Sequence, residues 1–523
     1  MSSLKLSAVA LAASLLTGCA LGPDFNRPNL PDAQGYAPPS ASSGMQGVLA
    51  GGTASQQFKT GQDIQADWWT VFQSPQLNAL IEKAFAANPN LAVVQASLRV
   101  AQENVYAQQG YFFPTVQANY TPSRTKVAGN LGGNSPGTQG NGSVISTYQG
   151  APASAGGTAP FNAPVIYNFH TAQLTVGYTP DVFGGNRRQV ESLEAQLQAQ
   201  RFELEAARIT LATNIVAAVI QDALLRRQVS TTQEMVVANT TAVQLVQRQL
   251  QAGYASRLDL AVQERVLAQS RQLLPPLTRQ LEQNRNVLRV LAGLPPDAEL
   301  PTFELEAMRL PNELPLTLPS QLVERRPDVR SAEEQLRAAT ADVGVARAAR
   351  VPQFSISATA GGAASRFNQM LWPSGKFFDL ALGITQPLFD GGTLQHRERA
   401  AEEALRRAGA QYHAAVLNAW QNVADVLQAI QSDADAVQLA DAALQVAQVS
   451  LELTRRQHTN GYVDRLTLLA AEQIHREALL DQWQAQARRL GDTAALFQAL
   501  GGGWWHRLDA SGTSTTVSAS APR

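Results

Sequence analysis

The chain has 523 residues, with 41 Lys and Arg against 42 Asp and Glu for a formal net charge of -1, and a single cysteine. No basic patch points to nucleic acid, and one thiol excludes an intramolecular disulfide. Six scattered histidines lack metal-ligand spacing, and the glycine runs form neither a P-loop nor a dinucleotide fingerprint, so no enzyme site, metal or bound cofactor is expected.

Lys5 followed by the apolar run Leu6 to Leu16 reads as a secretory signal peptide over 1–18, too short to span a bilayer. Residues 19–62 read as an irregular extended arm, rich in Pro, Gly, Ser and Ala. Asp67-Trp68-Trp69 and Phe72 lead into a short amphipathic helix through Leu77, Leu80, Ile81 and Ala84. A second helix follows Asn88-Pro89-Asn90 and ends before Pro114. The period then changes to two. Val116, Ala118 and Tyr120, and later Ala172, Leu174, Val176 and Tyr178, alternate with polar residues and predict strands at about 115–121 and 170–180, each apolar on one face. The Gly, Ser, Asn and Thr between them predict a long exposed loop.

From Arg187 to Gln251 there is neither glycine nor proline, and apolar residues recur at sevens: Val190, Leu197, Leu204, Leu211, Ala218 and Leu225, then after eleven Val236, Val243 and Leu250. This predicts a helical rod over about 187–252 with a coiled-coil seam, roughly 100 Å long. It turns at Gly253-Tyr254, and a return helix over about 256–292 contains Pro275-Pro276, which predicts a break or kink.

The pattern then repeats. Arg326-Pro327-Asp328 and Pro352 fall 238 residues after Asn88-Pro89-Asn90 and Pro114. Phe354, Ile356, Ala358 and Ala360, then Phe378, Leu380, Leu382 and Ile384, alternate with smaller or polar residues and predict strands at about 353–361 and 377–387. A second rod at about 393–460 carries Val416, Val423, Ile430, Val437, Leu444 and Leu451 at sevens. It turns at Gly461-Tyr462, 208 residues after Gly253-Tyr254, and a return helix covers about 464–500. The chain is thus two copies, 63–325 and 326–500, of helix, strand, strand, rod, turn and return helix, with 501–523 a disordered tail. Trp68-Trp69 and Trp504-Trp505 are expected to pack in the fold or at an interface. His458 near the second turn is expected to be an exposed helix residue rather than a pH sensor.

A soluble sandwich shows the same strand alternation, but a secreted chain with such rods favours the membrane. Strands of about nine residues with one apolar face suit a transmembrane barrel, yet four cannot close one and open edges are not tolerated in lipid. Several protomers must then share a barrel, its polar face lining a lumen that the rods continue.

Leu16-Thr17-Gly18-Cys19 resembles the lipobox of bacterial lipoproteins, which implies a covalent lipid on Cys19, with Ala20 after it implying export to the outer membrane. Together with Gly22-Pro23-Asp24-Phe25, Arg27-Pro28, Trp68-Trp69, Asp181-Val182-Phe183-Gly184, Leu291-Ala292-Gly293, Arg326-Pro327-Asp328, Pro387-Leu388-Phe389-Asp390-Gly391-Gly392 and Leu500-Gly501-Gly502-Gly503-Trp504, it makes the chain similar to the outer-membrane factor (TolC-like) family and its lipidated NodT branch. The resemblance implies a mixed, mainly α fold with membrane β: a homotrimer sharing a twelve-stranded barrel, a long-helix tunnel and a mixed equatorial domain. It implies the exit duct of a tripartite efflux system in the outer membrane, joined to a periplasmic adaptor and an inner-membrane transporter of RND type. The first inter-strand loop is longer than its counterpart, and Ala470 stands where relatives often carry an aspartate. A type I protein-secretion duct and a coiled-coil lipoprotein without a pore are the alternatives.

The two turns align residue for residue: Gly253, Tyr254, Ala255, Ser256, Arg257, Leu258 and Asp259 with Gly461, Tyr462, Val463, Asp464, Arg465, Leu466 and Thr467. The acids are placed differently, so Arg257 and Arg465 are each offered a carboxylate, Asp464 or Asp259, on a neighbouring hairpin. The expectation is a ring of such pairs gating the periplasmic end, with Gly253 to Ser256 and Gly461 to Val463 contacting the adaptor.

Overall fold

A computed structural model describes residues 20–29, 35–36, 56–127, 136–138, 144–146 and 165–507. The signal peptide, Cys19, most of the long loop and residues 508–523 lie outside the described residues. In chain order the elements are β1 (Gln57–Thr60), α1 (Pro75–Ala87), α2 (Pro89–Gln109), β2 (Thr115–Val127), β3 (Pro136–Thr138), β4 (Val144–Ser146), β5 (Val165–Tyr178), α3 (Gly185–Gln251), α4 (Arg257–Leu291), β6 (Glu313–Leu316), α5 (Pro319–Arg325), α6 (Pro327–Ala348), β7 (Gln353–Ala364), β8 (Lys376–Thr385), α7 (Thr393–Thr459) and α8 (Arg465–Ala499). By contacts the chain divides into two compact units, each drawing on both copies of the repeat.

The first unit (1–26, 101–196, 336–407) holds an antiparallel four-stranded sheet ordered β2-β5-β7-β8. Both strands that flank the long loop exceed expectation, β2 continuing to Val127 and β5 starting at Val165. Their register pairs Val127 with Val165, so ladder hydrogen bonds extend a strand past the point where its alternation fades. β8 in turn stops at Thr385.

The second unit (27–100, 197–335, 408–523) is built on helix packing around a mixed region. Proline at the first helical position starts α1 and α2, and Ser74 and Asn88 cap their free amides at 3.4 and 3.0 Å. α1 buries Leu77, Leu80, Ile81 and Ala84, as its spacing predicts. Trp68 stacks on Phe497 at 5.4 Å, Trp504 meets Phe202 edge-on at 5.5 Å, and the Trp504 indole donates to Arg325 O at 2.7 Å. Two expectations are corrected here. The arm does not stay irregular to residue 62, because β1 pairs in parallel with β6, and residues 501–507 are ordered rather than part of a disordered tail. Gly501, Gly502 and Gly503 all take positive φ, and a Cβ on Gly503 would stand 2.3 Å from Gln65 O. Only glycine lets the chain turn Trp504 inward there.

The helices show the repeat most directly: α3 and α7 each have 67 residues, α4 and α8 each 35. The first heptad series, Val190 to Leu225, is buried. After the eleven-residue step the buried positions are Met235, Asn239, Ala242 and Val246, whereas Val236, Val243 and Leu250 are half-buried, so the seam drifts off the predicted positions. Pro275-Pro276 does not break α4, which runs unbroken from Arg257 to Leu291. Both prolines face solvent, where water satisfies the carbonyls that lose their amide donors.

Candidate functional site

The sheet carries a two-sided wall. Register aligns Val116, Val176, Ala358 and Leu380 in one row across it, and Ala118, Leu174, Ala360 and Phe378 in the next. Rows of the other parity read Gln117, Thr175, Thr359 and Asp379, and Asn119, Gln173, Gly361 and Phe377. One face is therefore apolar and the other mainly polar, with Thr175 and Thr359 hydroxyls 3.4 Å apart on the latter. The apolar face is uncovered: Phe378 is 85%, Leu380 74% and Leu382 71% exposed. A soluble protein does not leave such a stripe in water. Among the described residues nothing pairs with the outer edges of β2 and β8.

At the helix-bearing end of this sheet the N-terminal arm is strapped down. Leu21 N donates to Phe183 O at 3.2 Å, and buried Arg188 reaches Leu21 O at 3.2 Å, Asp24 at 2.8 Å and Glu191 at 2.7 Å. Gly22 and Gly344 meet backbone to backbone, a Cβ on Gly22 lying 2.5 Å from Gly344 Cα. Arg337 covers Phe25 at 4.9 Å. Ala20 packs against Gly184, so the chain position next to Cys19 is held at the junction of β5 and α3, although Cys19 itself lies outside the described residues.

Both rods end alike. Gly253 and Gly461 adopt φ of 81° and 76°. Tyr254 N donates to Gln249 O at 2.8 Å and Gly253 N to Leu250 O at 3.1 Å; Tyr462 and Gly461 repeat this with Gln457 and His458 at 2.9 and 3.0 Å. These are paired Schellman motifs, which satisfy the last carbonyls and turn the chain. Tyr254 and Tyr462 project outward, 86% and 79% exposed. Ala255 and Val463 are half-buried, and His458 Nδ1 lies 3.1 Å from Val463 O.

The structure gives the two turn acids local partners. Asp259 accepts from Ser256 N and Oγ at 2.8 and 2.7 Å, while Ser256 Oγ accepts from Asp259 N at 3.2 Å, a capping box. In the other copy Asp464 itself caps, accepting from Thr467 N and Oγ1 at 2.8 and 2.6 Å. Cap carboxylate and hydroxyl have exchanged positions between the copies. These hydrogen bonds hold both carboxyls below the usual range. Among the described residues no ion pair within the chain involves Arg257 or Arg465.

Sequence reasoning missed one ionic contact that joins the two hairpins and others inside the second hairpin. Arg476 on α8 lies 3.4 Å from Glu234 on α3, and Glu472 lies 3.8 Å from both Arg455 on α7 and Arg476. The Glu472 to Arg476 pair is an i,i+4 contact that helix spacing already offers, whereas Arg455 is reached across the same hairpin and Glu234 meets Arg476 only because the two hairpins pack against each other.

Long helical hairpins joined to strands with one lipid-compatible face and one wettable face define a channel subunit, not a catalyst. The chain matches the outer membrane efflux protein family over residues 80–294 and 318–502, and it belongs to that family. It is 29% identical over 480 residues to the pyoverdine export outer membrane protein OpmQ of Pseudomonas putida, spanning 91% of this chain and 94% of that one. To the cation efflux system protein CusC of Escherichia coli it is 27% identical over 503 residues, covering 95% and 97%. The fold is that of the Campylobacter jejuni outer membrane channel CmeC, with a TM-score of 0.77 at 18% identity over 93% of this chain and 95% of that one.

Proposed function

We propose that the protein is the outer-membrane exit duct of a tripartite efflux system, passing small molecules received from a periplasmic adaptor and an inner-membrane transporter of RND type. The observation that carries this reading is the sheet with one apolar face, one polar face and two edges that are unpaired among the described residues. Unsatisfied edge amides each cost several kcal/mol in hydrocarbon, so the sheet requires edges from other copies. Three copies give a twelve-stranded barrel, an even number within the range of outer-membrane barrels. Cys19 bears the covalent lipid, its neighbour Ala20 fixed beside the sheet. Extraction in mild detergent is expected to yield a homotrimer that conducts ions in planar bilayers; a monomer without conductance sinks the proposal. Cys19→Ala abolishes labelling by radioactive palmitate if the lipobox reading holds, and unchanged labelling refutes it.

The turns form the periplasmic gate. Arg257 and Arg465 keep their guanidinium donors for Asp464 and Asp259 on neighbouring hairpins, and a capping carboxylate still accepts further hydrogen bonds. A single exposed pair contributes about 0–1 kcal/mol, so only a ring of them shifts the closed state appreciably. Larger conductance in the Arg257→Ala, Asp464→Ala, Arg465→Ala triple variant supports the gate, and wild-type conductance rules it out. The exposed Tyr254 and Tyr462, with Ala255 and Val463 beside them, offer the adaptor its contact.

A further inference from the structure

The end of the sheet away from the helices carries an unbalanced charge. From Thr115 to Pro180 and from Gln353 to Phe378 the sequence contains Arg124, Lys126, Arg366 and Lys376 and no Asp or Glu. All four cations are exposed, and among the described residues none takes part in an ion pair. The helix-bearing end of the same unit behaves oppositely, with Arg187 paired to Asp181 and Arg347 and Arg350 paired to Glu398.

Their parity is specific. Arg124 and Lys126 follow Val116, Ala118 and Tyr120 on the apolar face of β2, and Lys376 precedes Phe378, Leu380 and Leu382 on the apolar face of β8. Lys376 shares a row with Gly362, Ala172 and Tyr120. Level with Lys376, and between the apolar band and Arg124 and Lys126, lies an aromatic group, Tyr120 stacked on His170 at 6.2 Å with Phe367 edge-on to both. Leu371 and Trp372 are exposed on the turn beside Arg366. Along β2 an apolar band, an aromatic fringe and then cations follow one another on one face, the order a membrane imposes from hydrocarbon to headgroup, and Lys376 lies at the level of the fringe.

We infer that Arg124, Lys126, Arg366 and Lys376 form a docking collar for the phosphate groups of a phosphorylated lipid in the outer leaflet. The inference rests on the barrel reading above. Arg124, Lys126 and Lys376 on the lipid-facing side, with Arg366 on the adjoining turn and no carboxylate among them, complement anionic headgroups. Anionic cargo passing through the barrel would instead meet the opposite, polar face.

The full-length protein is reconstituted in phosphatidylcholine vesicles containing either bisphosphorylated lipid A or its dephosphorylated form, and lipid retained after extraction is counted by native mass spectrometry. The wild type is expected to retain the phosphorylated form about tenfold better, with the preference shrinking as salt rises. R124Q/K126Q/R366Q/K376Q is expected to lose it, while the charge-conserving R124K/K126R/R366K/K376R keeps it. Equal retention of both lipids by the wild type overturns the collar, as does a preference that survives the glutamine substitutions. Protease protection of the strands reports insertion separately: an uninserted wild type removes the barrel reading and the collar with it, whereas insertion without discrimination removes the collar alone.

Discussion

Asp433 on α7 shows what one side chain does to this helical assembly. Burial first, then the facing carboxyl of Asp492, pushes its pKa up to about 7, against the opposing pull of Arg488 and Arg489. Folding raises this acid above its unfolded value of about 4, so its stabilising contribution is complete below that pH and is lost as pH climbs through 7. Solvent screening at a partly exposed site holds the effect to about 1 kcal/mol. The wild type is therefore expected to melt at a lower temperature at pH 8 than at pH 5, and Asp433→Asn to flatten the difference in circular-dichroism melts. Parallel pH dependence in both proteins refutes this. Neither acid stood out in the sequence, because their proximity depends on α7 and α8 lying side by side. The same limit explains the turn acids: Asp259 and Asp464 were visible as an exchange, but the capping geometry that accounts for it needs backbone directions.

At the scale of elements, the turn glycines separate conformational strain from crowding. Gly461 has φ of 76°, and a Cβ there meets nothing within 4 Å. Gly461→Ala is expected to cost about 1–2 kcal/mol through the left-handed backbone alone, fraying the end of α7 with little change elsewhere. Hydrogen exchange over 455–462 measures it, and unchanged protection contradicts it. The rods were legible because freedom from glycine and proline over so long a span has few other readings. The strands were legible because alternation survives without any partner. β1 with β6 was not, since Gln57 pairs with Glu313 through backbone bonds that leave no local period. The continuity of α4 was also hidden, because helix packing and solvation outweigh a proline pair whose local preference is a break.

For the whole molecule, the matched lengths of the helices set a rule about change. Both rods have 67 residues, and both are closed by the same turn before a return helix of 35. The two copies have thus diverged in nearly every side chain while keeping one ruler. Removing seven residues from α3 alone withdraws its tip by about 10 Å relative to that of α7. A balanced shortening needs seven residues from each of the four helices. The balanced deletion, taken from matching positions, is expected to give a shorter duct that still conducts in planar bilayers, whereas deletion from α3 and α4 alone yields leaky or uninserted protein. If the one-sided deletion conducts like the wild type, the ruler is not enforced. Where it is enforced, length can change only in concerted steps, and gains or losses in one half of such a chain should carry their echo in the other.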